Sequence, residues 1–165
     1  MQTSKPSICF FLKDIDMMRQ DGFNENFAFI EGEVLFIGVH ETDGNIEDFA
    51  EVHARNAANV AWIDGIANTY WDDIRAMVIF ANGRPFRPEN DDFYLPLQNV
   101  LLQFNPMPIA YIHANDSDGD DTITYKPYHM DGMEHVTAIQ SSRGGANPPL
   151  RIHVGWDETD PFIVG

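Results

Sequence analysis

Three short, largely apolar runs constrain this chain more than anything else in it: VLFIGV at 34–39, RAMVIFA at 75–81 and PIAYI at 108–112. Each reads as a core strand, the first partly β-branched and broken off by ETDGN at 41–45. The segments between them have a different period. From Ile46 to about Asp72, residues Ala50, His53/Ala54, Ala57/Ala58, Ala61/Trp62 and Ile66 recur at three- and four-residue steps. That spacing predicts one long helix with those residues on a single face. Gly65 weakens the helix locally without ending it. Phe93 to Phe104 is again apolar at helical spacing, with Pro96 expected in its first turn. Asn82 to Asp91, holding Gly83, Pro85 and Pro88, is expected to be a loop.

Strand, helix, strand, helix, strand predicts an α/β layered fold with a mixed sheet and helices packed on it. Upstream, Phe27 to Ile30 and Glu33 to His40 read as a hairpin turning at Glu31-Gly32, while Asp14 to Asn26 reads as loop with a short helix. Residues 7–12 form either a strand or a packed N-terminal arm. Downstream, Thr122 to Tyr125, Glu134 to Gln140 and Leu150 to Trp156 read as shorter strands. The last two flank Gly144-Gly145 and Pro148-Pro149, a hairpin or edge connection. No repeat, low-complexity tract or linker divides residues 1–165, so one domain is expected, and 44% hydrophobic residues suffice for one core.

Charge narrows the partners. Ten Lys and Arg against 26 Asp and Glu give a net charge of −16 and a pI near 4.4. Such a field repels nucleic acid and anionic membrane, which excludes both as expected partners, and it slows the approach of phosphorylated substrates. The lone cysteine, Cys9, permits no intrachain disulfide and sits in the apolar run ICFFL, as a packing residue does. That run is too short for a signal-peptide core or a membrane span, so a soluble, cytoplasmic chain is expected.

The strand at 109–112 opens into a polar, acidic loop, HANDSDGDD, and ligands of open α/β sheets gather where strands end in such loops. A calcium reading of that loop is incomplete. Aligning Gly119 with the invariant glycine of an EF-hand places Asp116 and Asp118 on ligand positions but puts Ala114 and Tyr125 at the two ends. Six scattered histidines form no H-x-H or H-x-x-x-H pair, and only His113 and His129 lie near the expected strand-end rim. No nucleophile elbow, phosphate loop or dinucleotide fingerprint is present. Arg84 and Arg87 stand in the loop after the AMVIFA strand, where they would contact a phosphate or offset the acidic surface.

Taken in order, GEVLFIGVHETDGN, AEVHARNAANVAWI, AMVIFANGRPF, IAYIHANDS, TYKPY, EHVTAIQSS and LRIHVGWDETDP resemble the C-terminal half of a calcineurin-like metallophosphoesterase over most of positions 27–162. The resemblance implies a pair of divalent cations (manganese, iron, zinc or calcium) at strand ends and a phosphoester substrate. It carries the strand-end ligand after MVIFA to Asn82, and the terminal ligand segment to Ala114, Asn115, Asp116 and Ser117, with His113 just before it. The metal candidates are therefore Asn82, His113, Asn115 and Asp116. Asparagine and serine stand where the family has histidines, and serine hydroxyl is a poor ligand. The family's N-terminal ligand segments have no counterpart here. The resemblance thus implies a degenerate member without independent phosphoesterase activity. Its alternatives are a metal-dependent phosphoesterase completed by a further N-terminal segment or partner chain, and a non-catalytic calcium-binding or scaffold domain.

Overall fold

A computed structural model describes residues 15–41, 49–83, 91–114, 128–130, 132–141, 151–158 and 161–164. Nine strands and two α-helices fall within them: β1 (Met18–Gln20), β2 (Phe23–Glu31), β3 (Val34–Gly38), α1 (Phe49–Tyr70), β4 (Ala76–Phe80), α2 (Asp91–Gln103), β5 (Ile109–Ala114), β6 (Tyr128–Met130), β7 (Met133–Ser141), β8 (Ile152–Val154) and β9 (Phe162–Val164). Seven strands build one mixed sheet in the order β1-β2-β3-β4-β5-β7-β6. The central four, β3, β4, β5 and β7, run parallel, and antiparallel neighbours flank them on both edges.

The parallel strands are the three apolar runs plus β7, and they are apolar on both faces because both are covered. Leu35, Ile37, Met77, Ile79, Ile109 and Tyr111 meet the two helices, which pack against each other on one side of the sheet. Val34, Ala76, Val78, Ala110, Ile112 and Ile139 face the other way, where Phe162, Ile152, Val154 and Val164 of the small β8–β9 ladder lie over them. Arg75 pins that ladder beside the start of β4: its Nη1 donates to Gly155 O at 2.7 Å and its guanidinium stacks 4.3 Å from the Trp156 ring.

Several local expectations are corrected. Within the described residues 15–26, the expected loop and short helix give way to the β1–β2 hairpin, turned at Asp21-Gly22 with Gly22 at φ +78°. The β2–β3 turn lies at Gly32-Glu33, one residue later than expected, and both residues have positive φ, as a two-residue hairpin loop requires. β7 and β8 do not pair; β7 lies between β5 and β6, and β8 pairs with β9 in a second sheet. Pro96 sits inside α2, past its first turn, so that turn forgoes one backbone hydrogen bond. The expected strand at 122–125 lies outside the described residues.

The face of α1 is the largest correction. Ala50, His53, Ala54, Ala57 and Ala61 are exposed, while Asn56, Asn59, Val60, Ile63 and Ala67 are buried. Alanine methyls contribute too little burial to orient a helix, and here bulkier residues and two hydrogen-bonded asparagines win the inner face.

Candidate functional site

All four parallel strands end at the same edge, and the polar residues of the interior collect there. Glu41, three residues beyond β3, is only 1% exposed. The Gly83 N–H donates to its Oε2 at 2.8 Å, and Asn82 Nδ2 donates to its backbone carbonyl at 3.3 Å. A Cβ on Gly83 would land on the Glu41 carboxylate, so only glycine admits this contact. On its other side, the Gly83 carbonyl accepts from the Tyr94 hydroxyl and, at 3.2 Å, from Tyr111. The two hydroxyls meet at 2.5 Å and their rings cross at 71°. One glycine is thereby clasped by a buried carboxylate and two buried tyrosines, which fixes the exit of β4.

A second network joins β2, the exit of β3 and α1. Asn26 Nδ2 donates to Asn59 Oδ1 at 2.7 Å and to Gln20 Oε1, while its Oδ1 accepts from the His40 N–H at 2.8 Å. Asn59 Nδ2 donates to His40 O at 2.9 Å. These two buried amides satisfy both backbone groups of His40 and leave its imidazole in solvent. Beside it, Arg55 is held between Glu25 and Glu51 and lies over the Phe23 ring. The hydrogen bond from its own backbone, then the Arg55 guanidinium, holds the Glu25 carboxyl below its usual range.

Between the exits of β3 and β4, on the sheet face away from the helices, lies a groove of about 360 Å³. Its register explains its shape. Phe27 pairs with Gly38, and Gly38 pairs with Phe80, so two phenyl side chains on one face stand two strands apart with no side chain between them. Strand spacing sets that separation at about 9–10 Å. The Phe27 ring leans over Gly38, occupying the place a Cβ would take. Phe80 remains 37% exposed, and Glu25, His40 and Asn82 form the rim.

The sequence-derived metal candidates divide around the sheet. Asn82 lines the groove. His113 is 1% exposed on the opposite, helix-facing side, stacked on Tyr111 with ring centroids 6.1 Å apart, and its Nδ1 lies 2.9 Å from Ala114 O. These two side chains therefore do not share a site. Asn115 and Asp116, with the acidic loop, the calcium reading and Arg84 and Arg87, lie outside the described residues. Among the described residues no three His, Cys, Asp or Glu side chains are grouped to hold a metal, so the residues described do not by themselves fit a binuclear centre.

No family model, curated protein or solved structure matches the chain significantly. The metallophosphoesterase resemblance therefore stands on the residues quoted for it. Among the described residues no helix is long and apolar enough to cross a membrane.

Sequence reasoning missed Glu41, Tyr94, Tyr111 and the Asn26–Asn59 pair. Glu41 read only as the residue ending a strand, and the tyrosines read as apolar filling. One signal was available: both Glu41 and Gly83 fall just past the ends of apolar strand runs, where an α/β sheet concentrates its polar contacts.

Proposed function

We propose that this α/β domain is a non-catalytic binding or scaffold module, degenerate with respect to the metallophosphoesterases it resembles, that hydrolyses no phosphoester on its own. One observation carries the reading: Asn82 and His113 project to opposite sides of the sheet, each with a nitrogen turned to a backbone carbonyl. A binuclear hydrolase needs its ligands on one side of a strand edge, converging on two ions and a water between them. Here the strand-end polar groups instead hold the β3 and β4 exits in place.

The test is hydrolysis of p-nitrophenyl phosphate and of its bis-ester by the purified chain with added manganese. The expected rate equals that of metal alone. Manganese-dependent turnover that collapses in Asn82→Ala or His113→Ala, with the folded spectrum retained, would overturn the proposal.

A further inference from the structure

The groove between β3 and β4 has a lining that selects a ligand. Its apolar lining is Phe27, whose ring lies over Gly38, and the partly exposed Phe80. Its rim adds the Glu25 carboxylate and the Asn82 amide. Asn82 gives one Nδ2 hydrogen to Glu41 O, and its Oδ1 has acceptor positions for a donor on a ligand. A carboxylate has about four acceptor positions, more than the contacts from Arg55 and His40 fill. Such a rim asks for a donor-rich ligand, and an exposed phenyl ring at Phe80 offers a surface for a flat one. A chain carrying a net charge of −16 favours a cation and repels any phosphate-bearing ring.

Planar, cationic and rich in donors describes a guanidinium. Among the described residues this pairing occurs at Arg19 over Phe27 at 5.8 Å, Arg55 over Phe23 at 5.5 Å and Arg75 over Trp156 at 4.3 Å. Among the described residues, the cations beside the groove are committed, Arg55 to Glu25 and Glu51, and Arg19 to Asn24 O. We infer that the Phe27–Gly38–Phe80 groove receives an arginine side chain from a basic polypeptide, its guanidinium stacked on Phe80 and hydrogen-bonded to Glu25 and Asn82. The groove's volume sits at the low end of the roughly 300–1,000 Å³ of small-ligand pockets, which suits one side-chain head. The chain's net charge of −16 supplies the long-range attraction for the rest of a basic segment. This site goes beyond the proposed function and shares only Asn82 with it, so binding here and absence of phosphoesterase activity are tested separately.

The experiment titrates the full chain with a blocked pentapeptide, glycine-arginine-glycine-arginine-glycine, by calorimetry and by amide shifts of β3 and β4. Its citrulline counterpart, flat and uncharged, is the control. Binding of the arginine peptide is expected, with shifts at Gly38 and Phe80 and no binding of the citrulline form. Phe80→Ala and Phe80→Leu should each weaken it at least about threefold, the scale of one cation–π contact. Phe80→Leu keeps apolar bulk, so its loss reports the ring face and not folding. Trp156→Ala, on the remote ladder, should bind as the parent does. Equal affinity in both Phe80 variants would mean that net charge alone draws the peptide, and would overturn the inference. So would equal binding of the citrulline peptide, or none of either.

Discussion

At the scale of single residues, Gly83 carries the most structural information. Its N–H is taken by a buried carboxylate and its carbonyl by two tyrosine hydroxyls, and the space for its Cβ is already filled by Glu41. In Gly83→Ala the methyl must push the Glu41 carboxyl out of its hydrogen bond with the residue 83 N–H, inside a buried site. Overpacking together with a lost buried hydrogen bond costs about 2–4 kcal/mol. The urea midpoint should fall accordingly; a change within about 0.5 kcal/mol would show that the carboxylate has somewhere else to go. Little of this was legible in the sequence. An acidic residue after an apolar run looks like a solvated strand end, and its burial depends on a glycine 42 positions later.

At the scale of elements, period and composition carried the strands further than the helices. The strands VLFIGV, AMVIFA and PIAYI are apolar on both faces, and no choice of face was needed to place them. α1 was legible in existence and length but not in orientation, because an alanine-rich helix has no strong apolar stripe and its inner face carries Asn56 and Asn59. Those amides are inward because partners from other elements wait for them. Asn59 bridges Asn26 of β2 and the carbonyl of His40, so it ties α1 to a hairpin and to a strand exit at once. Removing either amide strands the other in a buried site, and a buried unpaired group costs about 1–3 kcal/mol. A double-mutant cycle of Asn26→Ala and Asn59→Ala should therefore be strongly non-additive, with a coupling of about 1–2 kcal/mol. Additive losses would mean that each amide is held by its backbone contact alone.

At the scale of the whole molecule, covering the sheet and charging its surface are separate matters. Among the described residues, two helices cover one face, while the β8–β9 ladder, anchored by Arg75 near the start of β4, covers the middle of the other and leaves Phe80 exposed at the strand exits beside the Phe27 ring. The layered architecture followed from the alternation of periods; the groove did not, since it arises from a glycine and two phenylalanines on three strands whose register no local pattern encodes. The chain carries 26 acidic and 10 basic side chains. The exposed pairs that offset them, such as Arg55 with Glu25 and Glu51, are worth roughly 0.2–1 kcal/mol each and are themselves screened by salt. Sixteen uncompensated charges outweigh so few pairs, so salt should stabilise the fold. The Debye length shrinks from about 30 Å at 0.01 M to about 8 Å at 0.15 M, so relief of repulsion should be largely complete by then. The urea midpoint should rise steeply between about 0.01 and 0.15 M sodium chloride and flatten beyond, the shape that screening produces. A midpoint that rises in proportion to salt up to about 1 M would instead report solute exclusion from the surface. A midpoint that falls over the first interval would mean that the surface ion pairs outweigh the acidic excess.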